Sequence, residues 1–242
     1  MKVQLIGTGC MQTKSNLACS LIDDKILIDV PSGTTKILDK MEKSIYDLEI
    51  LIITHFHGDH YFDIPILLLE KSFFPEKNKG PFYVIGPKGI EKKTKDLFEM
   101  AFPSTWKRVE DAYEVKFIEL NNKDQIIIND VNIQAIEVKH EIPNSQGYII
   151  SINDQKCAFT GDCTVCEGVD ELLKNSKILI SDASWIEGTP AHMGVNDIKQ
   201  YLEKYPENII IGTHMKDITK EKALKMDIEN FIIPSDGYTI EF

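Results

Sequence analysis

Short apolar runs, stopped by glycine, proline and acidic residues, alternate with amphipathic stretches along the chain. Val3-Gln4-Leu5-Ile6 predicts a first strand, ended by Gly7 and Gly9. Leu17 to Ile22 and Lys25 to Ile28 predict a hairpin across Asp23-Asp24. Asp29 to Gly33 reads as a loop, and Thr34 or Thr35 caps a helix running to about Lys43, a start that also suits an anion. Glu49 to Ile53 predicts a strand, Asp63 to Lys71 a helix, Phe82 to Ile85 a strand and Gly89 to Met100 a helix. Periodicity fails between Ala101 and Glu114. The aromatic cluster there, around Phe102, Pro103 and Trp106, reads as an apolar rim, a homodimer contact or plain core packing.

A second run of strands follows: Val115 to Leu120, Gln125 to Ile128, Val131 to Lys139, Tyr148 to Ile152 and Lys156 to Phe159. Ile178 to Ser181 and Ile209 to Thr213 alternate with helices near Glu171 and over Val195 to Lys204. Asp236-Gly237 turns into a last strand, Tyr238 to Phe242. Strands mixed with helices in two successive halves predict an α/β fold of two facing sheets with helices outside. No linker or repeat divides the 242 residues, so residues 1–242 read as a single domain.

Polar chemistry collects where these strands end. Thr54-His55-Phe56-His57-Gly58-Asp59-His60 directly follows the apolar run Leu51-Ile52-Ile53. In an extended loop His55 and His57 face the same way, and Gly58 permits the turn that carries Asp59 and His60 past them. His140 ends one strand, Asp162 another and His214 a third, while His192 lies in the loop beyond Ile178-Leu179-Ile180. Imidazole and carboxylate are ligands for zinc and its first-row neighbours, and strand carboxyl ends are where α/β sheets place their sites.

His55-x-His57-x-Asp59-His60, then His140, Asp162 and His214, resembles the metallo-β-lactamase-fold hydrolases across almost the whole chain. Asp63-Ile64-Pro65, Gly86-Pro87-Lys88-Gly89-Ile90, Ser181-Asp182-Ala183-Ser184 and Ala191-His192-Met193-Gly194 bring it nearer to ribonuclease Z and its phosphodiesterase relatives. The resemblance implies a four-layer αββα sandwich holding two divalent metal ions, zinc first, with manganese or iron as alternatives. It implies that His55, His57 and His140 hold one ion, that Asp59, His60 and His214 hold the other, and that Asp162 bridges them. A metal-bridging hydroxide is then the nucleophile. Asp59 counts among the catalytic groups, and His192, oriented by Asp182, is the proton donor or oxyanion stabiliser.

Two departures set the substrate apart. Ribonuclease Z has glutamate where this chain has Asp182, one methylene shorter. Its tRNA-gripping arm, in the bacterial form, has no room between Tyr148-Ile149-Ile150 and the Gly161-Asp162 motif, where Ser151 to Thr160 allows only a hairpin. Twenty-seven basic against 38 acidic side chains give a net charge of −11, which opposes a long polyanion. Lys88, Lys92, Lys93 and Lys95 form the one compact basic group near a motif, either a solvated face or a guide for a short anion. The expected substrate is therefore a small or flexible phosphodiester rather than folded tRNA. A lactonase or thioesterase is the alternative, ahead of a tRNA-processing ribonuclease or a non-catalytic binding module. Asp162 stands where common zinc β-lactamases have cysteine, and His57 where the di-iron branch has glutamate.

Five cysteines, an odd number in a chain that opens without a signal-peptide pattern, fit reduced thiols in the cytoplasm. Cys163-Thr164-Val165-Cys166 reads as small residues opening a helix rather than as a redox pair or metal thiolate. No apolar run has the length of a membrane span.

Overall fold

In the computed structural model, which describes residues 1–241, the chain forms two seven-stranded sheets. Six strands of the first half are β1 (Lys2–Gly7), β2 (Cys19–Ile22), β3 (Ile26–Ile28), β4 (Ile50–Ile52), β5 (Phe82–Gly86) and β6 (Val115–Glu119). The second half supplies β7 (Gln125–Ile128), β8 (Val131–Glu137), β9 (Gln146–Ile152), β10 (Gln155–Phe159), β11 (Ile178–Asp182), β12 (Ile209–Thr213) and β13 (Phe231–Ile232). The last strand, β14 (Thr239–Glu241), returns to pair antiparallel with β1. Sheet orders are β14-β1-β2-β3-β4-β5-β6 and β13-β12-β11-β10-β9-β8-β7. Helices α1 (Thr34–Lys40), α2 (Gly58–Tyr61), α3 (Ile64–Lys71), α4 (Ile90–Ala101) and α5 (Trp106–Ala112) belong to the first half, and α6 (Glu167–Asn175), α7 (Val195–Lys204) and α8 (Asp217–Ala223) to the second.

Three apolar layers make this an αββα sandwich. Between the sheets, Val3, Leu5, Ile22 and Ile52 of one meet Ile133, Tyr148, Ile150 and Phe159 of the other. Leu27, Leu51 and Val84 on the outer face of the first sheet pack against Leu67 and Leu68 of α3 and Phe98 of α4. Ile149, Leu179 and Ile210 do the same for the second sheet against Leu172 of α6 and Ile198 of α7. Central strands are thus apolar on both faces, which is why they read as continuous runs rather than alternations. Among the described residues no helix is long and apolar enough to cross a membrane.

Strand direction decides where the site falls. β3 to β6 run parallel, as do β10 to β13, and β8 points the same way as β10 because both are antiparallel to β9. The carboxyl ends of β4, β8, β10, β11 and β12 therefore reach one edge. There the sheets are joined directly, Gln146 N–H donating to Thr54 O at 3.0 Å and Tyr148 Oη to Ile53 O at 3.0 Å.

The aperiodic stretch contains α5, and of its readings core packing holds for two aromatics: the ring of Trp106 meets Phe98 edge-on at 5.1 Å, and Phe102 lies 5.7 Å from Phe98, while Pro103 is exposed. Two expectations change. The turn at Gly58 is the first residue of the one-turn helix α2, not a loop. Thr34 and Thr35 lie inside α1, whose preceding residue is Gly33 in the left-handed region at φ 92°. Phe242 of the expected last strand lies outside the described residues.

Gly161 is required twice over. Its φ is 59°, and a Cβ there would come within 2.6 Å of Thr54 Cβ. Gly237 also has positive φ, 84°, but its Cβ would meet nothing closer than Met41 Cε at 3.7 Å. Gly237→Ala should cost only the backbone term of about 1–3 kcal/mol, and Gly161→Ala clearly more. Denaturant midpoints of the two metal-free variants check this; equal losses would contradict it.

Candidate metal centre

All six histidines meet at that shared edge. Ring centroids of His55 lie 4.8 Å from His57, 4.1 Å from His60 and 4.9 Å from His140, and His60 lies 5.5 Å from His214. His192 stacks on His214 at 5.3 Å with 12° between planes. Asp162, entering from the end of β10, sits among them. One of its carboxylate oxygens is 3.3 Å from His60 Nε2, and the other is 3.4 Å from His214 Nε2 and 3.9 Å from His55 Nε2. Asp59 completes the group, 3.5 Å from His214 Nε2. His55, His57, His140 and Asp162 offer ligand atoms all within 4.8 Å of one another, and so do Asp59, His60 and His214.

The ring orientations are fixed from behind. His60 Nδ1 lies 2.8 Å from Asp29 Oδ2, and His140 Nδ1 donates to Ala191 O at 2.9 Å. Thr54 Oγ1 donates to Asp29 Oδ2 at 2.8 Å and so accepts from His55 Nδ1 at 3.0 Å. Each outward nitrogen carries the proton, and each Nε2 keeps a lone pair toward the centre. His57 is turned the other way, with Nδ1 3.1 Å from His140 Nε2.

This donor set fits a divalent cation. Nε2 of His55, His60 and His214 is buried and has no hydrogen-bond partner, a costly arrangement unless a cation accepts the lone pairs. Burial, then the neighbouring rings, pushes the pKa of His55 well below and that of His57 below the usual imidazole range. Burial opposes charge on Asp162, but His214 and His60 outweigh it and hold its carboxyl well below the usual carboxylate range. At His60 burial disfavours charge, yet Asp162 and Asp29 outweigh it and raise its pKa well above normal, so the Nε2 lone pair is drawn to a positive partner, a proton or a metal ion competing for the same place.

The acid–histidine pair stands beside this group. Asp182 Oδ2 accepts from His192 Nδ1 at 2.8 Å, so the shorter carboxylate reaches its ring. Burial lowers the His192 pKa, but the hydrogen bond its ring donates to Asp182 and that carboxylate's charge outweigh this, and the net shift is upward. His192 lines an open cleft of about 620 Å³, with Met11, Leu17 and Phe62 also in its lining, while Asp182 is buried behind it. Cys163 takes part only through its backbone, its N–H donating to Asp182 Oδ2 at 3.2 Å, while Cys166 precedes α6. The lysines are largely occupied: Lys92 pairs with Asp96 at 2.5 Å, Lys95 with Glu91 at 2.7 Å, and Lys93 covers the Phe56 ring at 4.9 Å.

With the site in place, comparison with known proteins is direct. The family model described as "Anti-Pycsar protein Apyc1" matches residues 1–238. The chain belongs to the Apyc1 family. Ribonuclease Z of Staphylococcus epidermidis is 24% identical over 245 aligned residues, covering 79% of this chain and 78% of that protein. The metallo-β-lactamase-fold protein YhfI from Bacillus subtilis superposes with a TM-score of 0.81 at 18% identity, covering 100% of this chain and 99% of its own. A diphosphatase of the PhnP family gives 0.78 at 18% identity, with 100% and 97% covered. This Apyc1-family chain has the metallo-β-lactamase fold, and it is ribonuclease Z-like.

Sequence reading missed Asp29, assigning it to a loop. The available signal was positional: Asp29 directly follows β3, as Asp162 nearly follows β10. It sits at φ 60° and supports His60 directly and His55 through Thr54. Asp29→Asn should weaken metal binding by about 10–100-fold while leaving the fold intact. Chelator-competition titration with circular dichroism checks this; unchanged affinity would contradict the supporting role.

Proposed function

We propose that this protein is a dinuclear-metal phosphodiesterase acting on a small or flexible phosphodiester in the cytoplasm. His55, His57 and His140 would hold one ion, Asp59, His60 and His214 the other, and Asp162 both. When bound, two divalent ions, with zinc first among them, supply a water nucleophile of lowered pKa and positive charge at the attacked oxygen.

The observation that carries the phosphodiester reading is the 2.8 Å bond between Asp182 Oδ2 and His192 Nδ1 beside Asp162. An alkoxide leaving from phosphorus needs a proton. His192 lines the cleft, and its raised pKa keeps it protonated further up the pH scale. Asp182, almost wholly buried and fixed by three further bonds from Ser184 and Cys163, holds the ring in place.

Substrate size is read from what surrounds the site. β9 and β10 join through Asn153-Asp154, both in the left-handed region, a two-residue hairpin with no arm to grip tRNA. The −11 net charge opposes long polyanions, and Lys92, Lys93 and Lys95 are engaged locally. The apolar wall of Met11, Leu17 and Phe62 suits a base or aryl group, as in an aryl phosphodiester, a cyclic nucleotide or a short oligonucleotide. Five unbridged cysteines suit a reducing compartment.

Two measurements test this reading. His192→Ala should keep its metal content and lose about 10²–10⁴-fold in kcat; loss of metal would make His192 a ligand instead. Bis(p-nitrophenyl) phosphate, cyclic nucleotides and short oligonucleotides should exceed a lactone, a thioester and precursor tRNA in kcat/KM. A faster lactone or thioester would make the protein a carbonyl hydrolase, and site-specific tRNA cleavage would overturn the size argument.

A further inference from the structure

Ser184 lies two residues past Asp182, buried on the loop leaving β11. Its Oγ is 2.6 Å from Asp182 Oδ1, 2.8 Å from His214 Nδ1 and 3.4 Å from His192 Nδ1. Its backbone is pinned as well: its N–H donates to Asp182 Oδ1 at 3.0 Å, and its carbonyl accepts from Thr219 Oγ1 at 2.9 Å.

Proton counting fixes the direction of these bonds. An ionised carboxylate only accepts, so the single hydroxyl proton goes to Asp182. The Ser184 Oγ lone pair must then accept from His214 Nδ1–H. His214 is thereby fixed as the tautomer with its lone pair on Nε2, the atom that is buried and unpartnered 3.4 Å from Asp162 and 3.5 Å from Asp59. His214 also has φ 57°, so its backbone is held in the left-handed region while its ring is held by Ser184. On the other oxygen of Asp182, His192 Nδ1–H is held in the same way.

We propose that Ser184 is a positioning residue that ties the proton-donating pair to a metal ligand. One buried carboxylate, Asp182, orients His192 directly and His214 through the Ser184 hydroxyl. Asp29 does the same across the site, orienting His60 directly and His55 through the Thr54 hydroxyl. The two halves of the centre thus share one device, a carboxylate whose second imidazole is reached through a hydroxyl.

This inference rests on His214 holding the second ion, and the experiment separates the two. Zinc titration against a chromophoric chelator reads both affinities in wild type, Ser184→Ala and Ser184→Thr. Ser184→Ala should weaken the second ion by about 10–100-fold and leave the first unchanged, and Ser184→Thr, which keeps the hydroxyl, should restore it. Equal affinities in wild type and Ser184→Ala would overturn the inference, as would equal loss at both sites. A wild type that binds a single ion would overturn the metal assignment itself, and this inference with it. Long-range ¹⁵N–¹H spectra of the zinc-loaded wild type give a reading that needs no variant. They should show His214 protonated at Nδ1; protonation at Nε2 would refute the role of Ser184.

Discussion

Everything in this molecule answers to one electrostatic constraint: buried imidazole lone pairs are made to face one another around a buried carboxylate. Such groups repel or stay unsatisfied unless a cation sits between them, and left alone each costs on the order of 1–3 kcal/mol. Four of the rings cannot relax away because they are bonded from behind, His60 and His55 by Asp29 and Thr54, His140 by Ala191 O, His214 by Ser184. The fold supplies that backing. Two sheets deliver strand ends to one edge, and Gln146 N–H to Thr54 O locks the edges together immediately before His55.

The left-handed conformations of Asp29 and His214 belong to the same constraint. Asp and His tolerate this region better than most residues, yet it is sparsely populated and persists where surroundings over-determine it. Here the surroundings are the bonds of Asp29 to Thr54 and His60, and of His214 to Ser184. The acid–histidine pair draws on the same scaffold, because Asp182 takes four hydrogen bonds before any substrate arrives. That is why one methylene less than glutamate does not break the contact with His192.

Much of this was legible in the sequence. Strands buried on both faces leave uninterrupted apolar runs, and the polar residue that ends each run marks the edge where the site assembles. Residues whose partners lie far along the chain left weaker traces. Asp29 looks like an ordinary turn residue until Thr54 and His60 are brought beside it. Ser184 is one small polar residue in a loop, and its meaning depends on His214, thirty positions on. α5 escaped notice because it spans only seven residues, with Val109 its one buried position, so no periodicity develops. The lysines of α4 looked like one basic patch because the sequence does not reveal that Lys92 and Lys95 are neutralised by Asp96 and Glu91 one turn away.

The central claim is that these lone pairs exist to hold two cations on either side of Asp162. Anomalous diffraction at the zinc edge, from crystals of zinc-reconstituted protein, tests it most directly. Two peaks per chain are predicted, one among His55, His57 and His140 and one among Asp59, His60 and His214, with Asp162 reaching both. A single peak, or two peaks with His192 as a ligand, would contradict the account.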